Sequence, residues 1–376
     1  MENRNLETEN QKLSLFFLSS ALGPDAASAQ LRRLAPALPR DRFRVEVGVI
    51  GPADCAASAL QNAGVPVHHV PLRHAFDISG VRKLRQLVAA ADPAILHAWG
   101  PAAARVSRLL TRSRRGGGNI PRVVVSAAAN PGGGLFGWLT CRRLRRADRV
   151  VPTTWADAER YRRLGVPFEH LTRIGPAVSP PGPLPDVAEF RRGLGLPPDS
   201  RLIFAAGRLE PASGLKSAIW AFDMLRYEAA DLQLVIFGDG PDRAGLEAFG
   251  RALAFDDFRI TFAGHRPDLP ELLGLAEVVW VTHERGGVNL ALEAMAAGRP
   301  VVGWKNPDLA EVIEEGENGF LAEPGERAQL AAKTYPLIHE PGFAGKLGAA
   351  GRERAATRFT IERMADQFAR LYQELG

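Results

Sequence analysis

The chain has 376 residues, of which 46% are hydrophobic and 24% charged, a globular composition with enough apolar material for two cores. It excludes a disulfide scaffold and argues against a structural metal site, because Cys55 and Cys141 lie far apart in no ligand spacing, a pattern suited to a reducing cytoplasm. The net charge of +5 is uneven: between 101 and 150 eleven arginines face one acid, Asp148, so that stretch carries +10 and the remainder −5.

The chain opens on MENRNLETENQK, with three Glu against one Arg and one Lys, before the apolar run LSLFFLSSAL at 13–22. ASA at 27–29 could pass for a cleavage site, but a secretory leader begins with positive charge, so 13–19 reads as a first buried strand. No run approaches the ~20 apolar residues that cross a bilayer. Further strands are expected at 43–50, 65–70, 94–99, 122–128 and 149–153, with amphipathic helical stretches at 28–38 and 79–91 between them. Short β-rich runs alternating with helical patterns make βαβ units and a mainly parallel sheet.

Regular alternation lapses at PAVSPPGPLPDV (176–187), where five prolines in twelve residues mark a linker. The pattern resumes with strands at 201–207, 232–238, 259–264, 277–282 and 300–304. Helices are expected at 214–228, 241–253, 286–297, 326–338 and 361–375. The fold class is therefore α/β, with two Rossmann-like domains at 1–180 and 181–360. A closing helix at 361–376 has the option of packing back on the first domain. Ligands of open α/β sheets bind at the carboxyl ends of the strands, so two such sheets are expected to face each other across a cleft. No internal repeat is visible, and low complexity is confined to GGG at 116–118 and 132–134.

The segment VVWVTHERGGVNLALEAMAAGRPVV (278–302) carries the strongest chemical signal. A strand ends at Thr282, Gly286 and Gly287 turn the chain, and a helix begins near Val288 with Val288, Ala291, Leu292 and Met295 as its core stripe. Asn289 and Glu293 share another face. A glycine loop entering a helix offers N–H donors and a positive dipole to an anion. Glu293 is the only acid among apolar and small residues; its carboxylate needs partners, either sugar hydroxyls or neighbouring backbone.

This segment resembles the donor signature of retaining glycosyltransferases of family 4, in which a Glu, seven residues and a second Glu precede AMA-x-G-x-P-V-V. GRLEPASGLKSAIWAF (207–222), LVIFGDGPDRAGLEA (234–248), FAGHRPDLPELLGLAEVVWV (262–281) and GENGFLAEPG (316–325) resemble further blocks of that family in the same order. Looser likeness to the acceptor half runs through 92–100, 147–167 and 170–178. The resemblance implies the GT-B fold, metal-independent transfer from a nucleotide-diphosphate sugar with retention, and no cofactor beyond the donor itself. It places Arg208 on the diphosphate and Glu293 on the ribose. The implied catalytic residues are Arg208, Arg285 and Glu284. The implied donor contacts are Gly23, His97, Gly207, Arg208, Lys216, Gly286, Gly287, Val288, Asn289 and Glu293.

Four positions depart from the pattern. The first Glu is replaced by Arg285, with Glu284 one place early, and the phosphate Lys by Ser213, with Lys216 three residues on. The family's Gly-Gly loop after the first strand reads GPD (23–25), and its His-x-His after the fourth reads His97-Ala98-Trp99. The expectations are accordingly an active hexosyltransferase acting on a glycan or lipid-linked acceptor, a degenerate relative that binds without turnover, or a nucleotide-sugar epimerase. The basic stretch 101–150 is either a solvated arginine face or a surface for anionic lipid, a polyanion or a phosphorylated ligand, and on anionic membrane the protein would be cytoplasmic and peripheral to the inner face. Nucleic acid is not expected, since the arginines are not interleaved with stacking aromatics.

Overall fold

The structure is a computed structural model that describes residues 12–376 except 24, 53–55, 74–76, 112–119, 128–129, 131–133 and 255–256. The chain divides into two compact units. One runs to Ala177 and takes back Ile361–Gly376; the other is Val178–Thr360. Both are parallel α/β sheets.

In the N-terminal unit the strands are β1 Leu13–Ser19, β2 Phe43–Val49, β3 Val67–His69, β4 Ile95–Trp99, β5 Arg122–Ser126 and β6 Arg149–Val151. Helices α1 Ala26–Ala37, α2 Ala56–Asn62, α3 Ile78–Ala91, α4 Pro101–Leu110, α5 Gly134–Leu144 and α6 Trp155–Arg163 connect and follow them. The order across the sheet is β3-β2-β1-β4-β5-β6, all parallel. Phe16, Phe17 and Leu18 of β1 are fully buried, as strands covered by helices on both faces must be. Asp25 starts α1 by accepting from the Ser28 N–H at 3.0 Å.

In the C-terminal unit α7 Val187–Gly193 precedes β7 Arg201–Ala206, α8 Leu215–Leu225, β8 Leu232–Phe237, α9 Arg243–Ala254 and β9 Ile260–Gly264. Then come α10 Leu269–Leu272, β10 Val278–Val281, α11 Val288–Ala296, β11 Val301–Trp304, β12 Gly319–Ala322, α12 Arg327–His339 and α13 Pro341–Arg358. The order β12-β11-β10-β7-β8-β9, read from its far edge, repeats the 3-2-1-4-5-6 order of the first sheet. The two halves thus share a topology that leaves no repeat in the sequence.

The last helix, α14 Ile361–Leu375, belongs to the N-terminal unit, where Met364, Ala365, Phe368, Ala369 and Tyr372 join the core formed by Leu31, Leu34, Phe17 and Trp99. The chain leaves and re-enters that unit by neighbouring segments, since the Val178 N–H donates to the Phe359 carbonyl at 2.8 Å. Among the elements that the sequence did not single out are β12 and the eighteen-residue α13, whose four glycines argue against a helix.

Candidate functional site

In a sheet of this order, connections run to opposite sides of the first strand, and the crevice at that switch point receives ligands. In the C-terminal unit the switch point lies between β7 and β10, which pair directly. The loops leaving their carboxyl ends, 207–214 and 282–287, are sewn together. Thr282 Oγ1 donates to the Ser213 carbonyl at 2.8 Å, and the Glu284 N–H donates to the Ala212 carbonyl at 3.2 Å.

The loop after β11 braces the second of these loops. Asn306 Nδ2 donates to the His283 carbonyl at 2.9 Å, and Asp308 accepts the Gly286 N–H at 2.9 Å. Asn306 Oδ1 in turn takes the N–H groups of Asp308 and Leu309 at 3.0 and 2.9 Å. The loop after β8 closes the other side, with the Leu209 N–H on the Asp239 carbonyl at 3.0 Å.

Both helices that begin here, α8 and α11, start from a glycine in the left-handed region, Gly214 (φ 68°) and Gly287 (φ 81°). Neither position tolerates a side chain. A Cβ on Gly214 would lie 2.1 Å from the Thr282 carbonyl oxygen, and one on Gly287 would lie 2.5 Å from Val281 Cγ1. Consequently no side chain caps either helix. Two positive helix ends open on one switch point, which is an anion-binding arrangement.

The expected residues divide into two sets. Gly207, Arg208, Glu284, Arg285, Gly286, Gly287, Val288, Asn289 and Glu293 all lie on these loops or on α11. Arg208 is exposed, its guanidinium 3.1 Å from the Glu210 carboxylate. Glu284 and Arg285 are also exposed, while Asn289 and Glu293 are half-buried and have partners.

Lys216 and His97 lie outside these loops. Lys216 sits on α8, but its ammonium lies 4.9 Å from the centre of the Phe249 ring of α9. His97 is wholly buried in the N-terminal unit, with Nδ1 2.7 Å from the Tyr372 hydroxyl and Nε2 2.8 Å from Ser126 Oγ. Burial pushes its pKa down to about 3, so it is a neutral group within the core. Gly23 lies at the β1 end of the first sheet, its N–H on Ser28 Oγ (3.2 Å) and its carbonyl accepting from Arg32 (3.2 Å). Pro24, the middle of the GPD turn, falls outside the described residues.

Sequence reasoning missed His283 and the Asn306–Asp308 bracket. His283 lies between two glycines: a Cβ on Gly207 would be 2.5 Å from its Nε2, and one on Gly287 3.5 Å from its Nδ1. Burial holds the imidazole below its ordinary pKa, with the Glu210 carboxylate pulling the other way, and Nδ1 is buried without a partner. The available signal was the Asn-Pro-Asp run one residue past β11, a turn sequence whose side chains bond nearby backbone. Among the described residues no cluster of three His, Cys, Asp or Glu could hold a metal ion, and no helix is long and apolar enough to cross a membrane.

Comparison with known proteins agrees with this geometry. Residues 186–354 match the family of glycosyl transferases group 1, and residues 26–177 match the glycosyl transferase 4-like domain. N-acetyl-alpha-D-glucosaminyl L-malate synthase of Bacillus anthracis is 24% identical over 191 residues, which span 50% of this chain and only 50% of that protein. Alpha-D-kanosaminyltransferase of Streptomyces kanamyceticus is 27% identical over 248 residues, 64% of each chain. The crystal structure of Anabaena HepE in complex with UDP and glucose superposes with a TM-score of 0.83 at 21% identity, covering 96% of this chain and 99% of that one.

Proposed function

The chain belongs to the family-4-like glycosyltransferases of GT-B fold, and from that premise we propose that it moves a sugar, with retention, from a nucleotide-diphosphate sugar to a glycan or lipid acceptor. The observation that carries the donor assignment is the pair of glycine-started helices opening on one switch point. A diphosphate placed there meets the N-termini of α8 and α11, with Arg208 and Arg285 on the loops beside them. HepE, of the same fold, was crystallised with UDP-glucose, which supports this class of donor.

In this reading Glu293 takes the ribose hydroxyls, because it is half-buried on the face of α11 that it shares with Asn289. Transfer needs negative charge to build on the departing diphosphate, and preorganised donors that require no rearrangement lower that barrier most. The hydrogen-bonded loops supply that preorganisation, and the two arginines and two helix ends supply the charge in a metal-independent route. His283, held neutral by burial, adds no cation to the site. The rival reading, a binder without turnover, draws on Lys216, which is engaged with Phe249 while Ser213 occupies the place of the missing cation.

Thermal-shift screening of UDP, GDP and ADP sugars, then calorimetry and a transfer assay, tests the reading. One donor class should raise the melting temperature. Glu293→Ala should bind it at least about tenfold more weakly, or ~1.4 kcal/mol. Equal affinity in that variant removes Glu293 from the site, and binding without transfer to any acceptor selects the rival.

A further inference from the structure

Helix α5 buries Gly137, Thr140 and Leu144 and turns the opposite face outward. The outward stripe reads Leu135, Trp138, Arg142, with Phe136 beside it. Leu135, Phe136 and Trp138 are 59%, 41% and 56% exposed. Single apolar residues on a surface are ordinary, but three large ones within one turn form a patch that a monomer in water does not need.

The patch is ringed by cations. The Arg142 guanidinium lies 5.5 Å from the centre of the Trp138 ring, and that of Arg105 lies 5.6 Å from the Phe136 ring. Arg142, Arg145 and Arg146 follow at the carboxyl end of the helix and are exposed. Between 101 and 147 the sequence has no acid. The first acid after it, Asp148, is already paired with Arg122 at 3.1 Å and Arg108 at 3.9 Å.

We propose that α5 docks this protein reversibly on an anionic bilayer, Leu135, Phe136 and Trp138 entering the boundary between headgroups and acyl chains while the arginines meet lipid phosphates. An eleven-residue helix is about 16 Å long, too short to span and suited to lying in the interface. Tryptophan at headgroup level keeps its indole N–H wet while its ring is buried. The single sign of charge is what selects the partner: protein interfaces carry both signs, whereas an anionic leaflet attracts one. The docking rests on the N-terminal unit alone and is measured without nucleotide, so failure of the donor reading leaves it intact.

The test is sedimentation of the full chain with vesicles of phosphatidylcholine, with and without phosphatidylglycerol. Binding is expected only with the anionic lipid, and it should weaken as salt rises. Trp138→Ser and Leu135→Ser should each reduce partition severalfold at constant charge, and Arg142→Glu at constant apolar area. Trp138→Phe should retain binding but lose quenching of tryptophan fluorescence by brominated lipid. These side chains are exposed, so circular dichroism should show unchanged melting. Equal binding to both vesicle types, or none to either, overturns the proposal. So does sedimentation equilibrium showing a dimer that Trp138→Ser dissociates, since the patch then serves a second copy of the chain.

Discussion

At the scale of single residues, the informative comparison is between Ser213 and Arg285, the two positions where the family resemblance sets a lysine and a glutamate. Ser213 is buried, and its hydroxyl donates to the Glu210 carbonyl at 2.6 Å, so it holds the loop. Arg285 is exposed one residue before Gly286, and among the described residues no carboxylate lies within ion-pair distance of it. It does not pair with Glu284. A guanidinium can grip a phosphate with two parallel bonds where lysine offers a point charge. Arg285→Glu should therefore weaken nucleoside-diphosphate binding about tenfold or more, and Arg285→Lys should fall between, as titration calorimetry would show. Unchanged affinity in Arg285→Glu would mean that the missing cation has no replacement. Ser213→Lys is a poor rescue, because it breaks a buried hydrogen bond before it adds charge.

At the scale of elements, most strands were legible as short runs rich in apolar residues, β12 excepted, and β10, with Val278 to Val281 all buried, is the clearest. The turn at Gly286 and Gly287 and the helix at Val288 were legible from the same periodicity. Helix α13 was not. Its glycines at 342, 345, 348 and 351 lower helix propensity, and only the tertiary structure shows why two of them are there. Gly348 lies so close to the end of α11 that a Cβ would stand 2.1 Å from the Gly298 carbonyl oxygen, and Gly351 packs against Met295. Gly345 has open space around it. The same substitution should then act in opposite directions. Gly345→Ala should stabilise the C-terminal unit by up to ~1 kcal/mol through helix propensity. Gly348→Ala should destabilise it by about 1–3 kcal/mol by forcing α11 and α13 apart. Urea denaturation of the two variants decides this, and a stabilised Gly348→Ala would show that the contact is slack.

Whole-molecule features were the least legible, because they depend on residues far apart in sequence. His97 carries no mark that its partner is Tyr372, 275 positions away, and the motif pattern alone sends it to a ligand. For Lys216 likewise, position along α8 does not reveal that its side chain lies over Phe249. The His97–Tyr372 bond is where α14 completes the first unit, and it makes a pH-dependent prediction. In the unfolded chain a histidine titrates near 6.5; in the fold His97 titrates near 3, because burial disfavours its charged form. Below pH 6.5 the unfolded state therefore binds a proton that the folded state refuses. Stability is full above 6.5 and falls as pH drops towards 3, by at most about 1.4 kcal/mol per unit from this group. Tyr372→Phe keeps the imidazole buried but strips Nδ1 of its partner, so it should lower stability by about 1–3 kcal/mol at neutral pH and leave the slope in place. His97→Gln should lower stability too but flatten the slope between pH 7 and 5. Chemical denaturation of the three proteins across that range, following the transition of the N-terminal unit, separates the effects. If His97→Gln retains the wild-type slope, the acid sensitivity belongs to another group and His97 does not govern how α14 closes the unit.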